Sequence, residues 1–163
     1  MIAKKKSKTF LTRTAKETQK LGESFAKKIL KKNARLFSGK TAVIIALKGD
    51  LGSGKTTFLQ GFAKGLGIKE KVLSPTFLIM RRFQFPASSF KKHKFANFFH
   101  VDCYRVIRYE ELLDLNWRRI VYDPENIVAI EWPELIKPIM PEGAIKINFK
   151  FIDEKKRKIT FYG

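Results

Sequence analysis

The residue order predicts an α/β fold: one sheet with a parallel centre and antiparallel edge strands, and helices on both faces. Three observations predict it. Ala42-Val43-Ile44-Ile45-Ala46-Leu47 is continuous and rich in β-branched residues, the mark of a strand buried on both faces. Ile127-Val128-Ala129-Ile130 is a second run of the same kind. Helical and strand periods alternate in the first part of the chain, and strands dominate the last part.

Each element has a local cause. Thr14-Ala15-Lys16-Glu17 has the form of a capping box, in which Thr14 accepts from the backbone three residues on and Glu17 reaches back. Leu21, Phe25, Ile29 and Leu30 then recur at helical spacing, predicting a helix over 14–32 with one apolar face. Lys27, Lys28, Lys31 and Lys32 sit near its C-terminus, where cations suit the helix dipole. The segment from Asn33 to Gly39 breaks the pattern. After the 42–47 strand, a glycine loop at 49–54 leads into a helix expected from Lys55 to Leu66 and ended by Gly67.

Thr76 to Phe85 reads as a strand, followed by a basic loop around 88–92 and a partner strand from Phe95 to Val101 that ends at Asp102. Glu110 to Leu115 reads as a short helix. The 127–130 strand ends at Glu131, and Pro133 forbids its continuation. Residues 144–152 and 157–162 alternate as an antiparallel hairpin turned at 153–156. About nine residues at the start read as a basic tail. With 163 residues, no internal repeat and no Pro/Gly/Ser linker, one domain over 1–163 is expected.

Composition excludes several classes. Hydrophobic residues at 44% argue against global disorder. The longest apolar run is six residues, so no membrane contact by a spanning helix is expected. The first residues lead into Lys, Ser and Thr rather than an apolar stretch, which argues against a secretory signal. A single cysteine, Cys103, fits a reducing cytoplasm. Against these ordinary features, 34 basic side chains face 15 acidic ones, for a net charge of +19. Residues 1–40 carry 13 basic and 2 acidic groups, whereas 106–145 carry 4 and 8. Such a balance points to a polyanionic partner, with nucleic acid as the first candidate for contact with the basic surface. Lys, Ile and Phe all have A/T-rich codons, so genome composition is a second explanation of the charge.

The strongest motif is Gly49-Asp50-Leu51-Gly52-Ser53-Gly54-Lys55-Thr56, which matches G-x-x-x-x-G-K-[ST]. It leaves a buried strand and enters a helix, as a phosphate-binding loop must. Glycines let several N–H groups face one phosphate, and the helix N-terminus adds partial positive charge. Lys55 would span the β- and γ-phosphates and the Thr56 hydroxyl would ligate Mg²⁺. The fold expected is therefore a P-loop NTPase-like sheet. Such a site also needs a carboxylate at a neighbouring strand end, and both Asp102 and Glu131 qualify. Pattern favours Glu131, because Asn97 and His100 interrupt the run before Asp102.

The guanine-reading N-K-x-D and T-K-x-D motifs are absent, which argues against a switch GTPase. A small-molecule kinase would need an acceptor pocket and lid for which few residues remain. His93, His100 and one Cys have no zinc spacing and read as surface or core histidines.

Four blocks occur in order: Leu47 to Phe58 around the glycine loop, Ser74-Pro75-Thr76-Phe77, His100-Val101-Asp102-Cys103-Tyr104-Arg105, and Glu131-Trp132-Pro133-Glu134. Together with the Leu21-Gly22 helix, this set closely resembles the bacterial TsaE family over roughly residues 14–135. The resemblance implies an ATPase of tRNA threonylcarbamoyladenosine biosynthesis, with ATP and Mg²⁺ as ligands, weak intrinsic hydrolysis, and TsaD and TsaB as partners. It implies that Leu51, Gly52, Ser53, Gly54, Lys55, Thr56 and Thr57 hold the phosphates and that Thr76 lies in a switch-like segment near the γ-phosphate. It further places Asp102 near Mg²⁺, makes Glu131 the carboxylate important for hydrolysis, and matches Trp132 to a characteristic Trp. As metal ligands, Thr56, Asp102 and Glu131 are the candidates. A basic nucleic-acid module with a vestigial ATP site is the rival reading, as is the small-molecule kinase.

The chain departs from the family pattern at Met80-Arg81-Arg82, where relatives often carry Glu, and at Cys103, which replaces Leu. Asn116 stands where a Gly is usual, and the 84–94 loop is longer and more basic. These departures put partner contacts and the geometry of the 110–115 helix in question, not the phosphate chemistry.

Overall fold

The computed structural model describes residues 7–36, 39–75, 77–89 and 92–162. Seven strands form one mixed sheet: β1 (Ser7–Thr12), β2 (Val43–Lys48), β3 (Met80–Gln84), β4 (Asn97–Asp102), β5 (Asn126–Glu131), β6 (Ile145–Phe151) and β7 (Arg157–Tyr162). Their order across the sheet is β1-β7-β6-β2-β5-β4-β3. The centre, β6-β2-β5-β4, is parallel; β1/β7, β6/β7 and β3/β4 are antiparallel. The expected architecture is therefore the observed one.

Helix α1 (Ala15–Leu36) starts as its capping residues predict. The Glu17 N–H donates to Thr14 Oγ1 at 3.1 Å, and Glu17 Oε2 accepts from the Arg13 N–H at 2.7 Å. Helix α2 (Lys55–Gly65) follows the glycine loop, and Gly67 takes a left-handed φ of 84° just beyond it. The two helices share one face of the sheet, where Ala26, Ile29, Phe58, Leu59 and Phe62 pack on Ile45, Leu47, Phe98 and Ile147. They approach so closely that a Cβ on Gly22 would lie 2.1 Å from the Phe58 carbonyl oxygen, and one on Gly61 1.9 Å from that of Gln19. On the opposite face, helices α3 (Glu110–Asp114) and α4 (Trp117–Val121) and a 3₁₀ segment at Pro133–Ile139 bury Val101, Val128, Ile130 and Trp117. Asn116 adopts the left-handed conformation at φ 61°, as a short polar side chain can, so the expected glycine is not required there.

Three expectations need correction. Residues 7–9, read as part of a basic tail, belong to the edge strand β1, which pairs from Ser7↔Tyr162 to Thr12↔Arg157. Its own residues are mostly exposed, so it carries no strong apolar alternation and is held by the ladder with β7. The strand expected from Thr76 begins only at Met80. Phe77 to Ile79 form a turn instead, in which the Leu78 N–H donates to Pro75 O at 2.8 Å and the Met80 N–H to Leu78 O at 2.6 Å. Ile79 has φ 61°, an unusual value for a β-branched residue, and its carbonyl accepts the Asp102 N–H at 2.8 Å. Helix α4 was not foreseen, because five residues are too few to show a period.

Candidate functional site

The parallel strands β2, β4 and β5 run the same way, so their C-terminal ends share one edge of the sheet. β2 ends at Lys48 and the chain enters the glycine loop; β4 ends at Asp102 and β5 at Glu131. Asp102 and Glu131 are register partners, which sets two carboxylates side by side. The loop needs its glycines: Gly52 and Gly54 have φ of 71° and 98°, and a Cβ on Gly49 would meet the Phe149 carbonyl oxygen at 2.5 Å. Gly54 is the N-cap of α2 and offers no side chain to bond its first amides, so they remain available to an anion.

A cleft of about 500 Å³ lies over this edge. Leu51, Gly52, Ser53, Gly54, Lys55, Thr56, Thr57, Asp102, Glu131 and Trp132 all line it, so the fold gathers every sequence-derived candidate except Thr76. Thr76 lies outside the described residues. Lys55 Nζ donates to Gly49 O at 2.6 Å and Asp50 O at 2.9 Å, and sits 4.4 Å from the centre of the Trp132 ring. Burial holds its ammonium below the usual lysine range; Glu131, Asp102, Glu134 and Asp50 oppose that shift. Trp132 takes a left-handed φ of 58°, which turns its ring over Lys55 and against Tyr104. It is thus both a packed aromatic and a wall of the cleft.

Glu131 is only 3% exposed. Its Oε1 accepts from Thr56 Oγ1 at 3.0 Å and lies 2.8 Å from His100 Nε2. Asp102 Oδ2 accepts from Ser74 Oγ at 2.6 Å, and Oδ1 from the Tyr104 N–H at 3.0 Å.

His100 is the residue that spacing missed. It is a core histidine, as expected, yet it does more than fill space: fully buried, it touches the cleft carboxylate from behind. The carboxylate on Nε2 selects the tautomer that carries its proton there. The available signal was parity. Alternation along β4 puts His100 and Asp102 on one face, and pairing with Ala129 brings His100 two places from Glu131. That pairing is visible only once β4 and β5 are known to be neighbours.

Sequence order also hid one wall of the cleft. Arg13, Thr14 and Thr18 reach it from the start of α1, and Glu154, Lys155 and Arg157 from the β6–β7 turn. Arg157 Nε donates to Gly52 O at 3.0 Å and its Nη1 to Asp153 O at 2.7 Å, tying that turn to the glycine loop.

The donor set fits a hard divalent cation, since Thr56, Ser74, Asp102 and Glu131 present only oxygens. Among the described residues no three His, Cys, Asp or Glu cluster as a cage.

Fold and site together define a mixed α/β protein whose glycine loop, α2 start and paired strand-end carboxylates share one cleft. A family model described as "Threonylcarbamoyl adenosine biosynthesis protein TsaE" matches residues 12–159, and the chain belongs to the TsaE family, which serves threonylcarbamoyladenosine biosynthesis in tRNA. Relatives named tRNA threonylcarbamoyladenosine biosynthesis protein TsaE agree. That of Rickettsia prowazekii is 35% identical over 140 residues, 84% of this chain and 90% of its own length. That of Bacillus subtilis is 35% identical over 118 residues, 72% of this chain and 68% of its own. The crystal structure of YdiB from Bacillus subtilis superposes with a TM-score of 0.67 at 26% identity, covering 97% of this chain and 86% of that one. Among the described residues, no helix is long and apolar enough to cross a membrane.

Proposed function

We propose that this chain binds ATP with Mg²⁺ in the cleft, hydrolyses it slowly, and acts in the cytoplasm as the ATPase component of the threonylcarbamoyladenosine machinery beside TsaD and TsaB. What supports this most is the juxtaposition of Lys55 and Thr56, at the start of α2, with the Asp102/Glu131 pair on one sheet edge.

The chemistry follows from those positions. Amides of residues 51–57 and the α2 N-terminus attract phosphate oxygens. Lys55 exchanges the Gly49 and Asp50 carbonyls for phosphate oxygens, which are stronger partners for an ammonium. The Thr56 hydroxyl donates its hydrogen bond to Glu131 and keeps its lone pairs for a cation, so Thr56 and Asp102 would hold the Mg²⁺. A bound Mg²⁺ would supply positive charge against the charge that builds on the phosphate oxygens. Glu131 then accepts a hydrogen bond from the attacking water through Oε2, since Oε1 is engaged by Thr56 and His100. Water adds to the γ-phosphorus and loses a proton to Glu131 Oε2, the bridging P–O bond breaks, ADP leaves with that oxygen, and the proton passes to solvent as phosphate departs. Leu51 and Tyr104 stay exposed on the cleft wall, and Phe77 and Leu78 stay exposed in the turn before β3, apolar surface suited to a protein partner that excludes water and raises the rate.

The test is Lys55→Ala. Nucleotide affinity by calorimetry and phosphate release should both be lost, since a buried phosphate cation contributes several kcal/mol, about 2–5. Undiminished hydrolysis by that variant would refute the proposal.

A further inference from the structure

The face of α1 turned away from the sheet carries Lys16, Lys20, Lys27, Lys28, Lys31 and Lys32, all exposed. Its other face is committed to the core: Ala26 and Ile29 are buried, with Leu21, Phe25 and Leu30 packed beside them. Lys20, Lys27, Lys28 and Lys31 line one shallow depression with Glu23 and Ser24. Lys27 and Lys31 also line the next one, shared with Lys92 and His93. Lys64 of α2 reaches the same band, 3.4 Å from Glu23, which already binds Lys27 at 2.6 Å. From Lys16 to Lys31 the band runs about 22 Å along the helix.

Three Lys pairs at i,i+4 (16/20, 27/31 and 28/32) place like charges on neighbouring turns, each costing a few tenths of a kcal/mol, about 0.2–0.5. A continuous line of negative charge on a partner would relieve that repulsion. We infer that this band of α1, with Lys64 and Lys92, docks the phosphate backbone of a folded RNA. The band offers no exposed aromatic for base stacking and no exposed apolar strip for a lipid surface. Lysines act as point charges on phosphates rather than as readers of bases, so contact follows backbone shape and charge. RNA is favoured over an acidic protein because a backbone presents charge without interruption along the full band, and because the family serves a tRNA modification. This goes beyond the nucleotide site and uses none of its residues.

The experiment measures fluorescence anisotropy of a labelled, folded tRNA transcript with the full chain at 50–300 mM salt. Binding should weaken steeply with salt through counterion release. In the variant Lys20→Gln/Lys28→Gln/Lys31→Gln, the slope of log affinity against log salt should shrink by about 2–3, and affinity should fall at least about tenfold at 100 mM salt. A second variant, Lys146→Gln/Lys150→Gln/Lys158→Gln, removes the same charge from exposed positions on β6 and β7 and should lose far less. Equal losses in both variants would mean a net-charge effect and overturn the docking band. So would salt-independent binding, no binding at any salt, or equal affinity for polyglutamate. ATP affinity, measured on the same preparations, should be unchanged in both variants. Loss of the ATP proposal would show in the unmodified chain and leave the RNA result standing.

Discussion

Glu131→Gln separates a group that binds nucleotide from one that accelerates its hydrolysis. Glutamine keeps Oε1 as an acceptor for the Thr56 hydroxyl and the His100 N–H, so both contacts at 3.0 and 2.8 Å survive in neutral form. Converting charge-assisted bonds to neutral ones in a 3% exposed position should cost about 1 kcal/mol of stability. For a chain of this length that lowers Tm by about 2–4 °C. Turnover should suffer far more. Oε2 is the oxygen left for water, and an amide NH₂ there donates where a base must accept. Loss of a positioned base costs about 10²–10⁴-fold, or roughly 3–5 kcal/mol of barrier. Nucleotide affinity should stay within a few-fold, because a carboxylate beside a triphosphate gives the bare nucleotide no attraction. Calorimetry gives the affinity; single-turnover phosphate release with TsaD and TsaB present gives the rate. Collapsed affinity with unchanged turnover per bound ATP would refute this account. Glu131 would then be a ground-state ligand, and Asp102 the catalytic carboxylate.

His100 is a positioning residue whose role turns on one N–H. His100→Leu should lower kcat about tenfold with nucleotide Kd unchanged, whereas His100→Gln, which can present an N–H to Glu131, should recover much of the loss; equal loss in both variants would count against it. Gly22→Ala gains about 1 kcal/mol of helix propensity but drives a Cβ into the α2 backbone, for a crowding cost of about 3 kcal/mol. A thermal melt should show Tm lower by about 4–8 °C, and an unchanged Tm would contradict the close α1/α2 contact. The Cys103 thiol is pushed up to about 12, first by burial and then by the charges of Asp102, Glu134 and Glu131. Its protonated form is favoured by folding, so this stabilisation is complete below the ordinary thiol value of 9.0 and is lost as pH rises toward 12. Denaturant melts of the parent and of Cys103→Ala should therefore converge above pH 9, and parallel curves through pH 11 would sink the assignment.

The amino-acid sequence alone determined the elements whose cause is local. β2 and β5 are apolar on both faces because both faces are covered, and this leaves an uninterrupted run. The glycine loop and the α1 cap are written in adjacent residues, so their backbone geometry follows from composition at fixed spacing. Asp102 and Glu131 were legible as strand-end carboxylates for the same reason. Pairing was not legible. β1 has no apolar stripe, and only its ladder with β7, more than 140 residues away, makes it a strand. His100 looked like an interruption in a strand until β4 lay beside β5 and turned its imidazole onto Glu131. Arg13 and Arg157, from opposite ends of the chain, both line the cleft because β1 pairs with β7 up to Thr12↔Arg157. Local propensity acts over a few residues, whereas a buried hydrogen bond or a cleft wall depends on which distant strands exclude water together. The tertiary structure decides that, through burial and register that no single segment encodes.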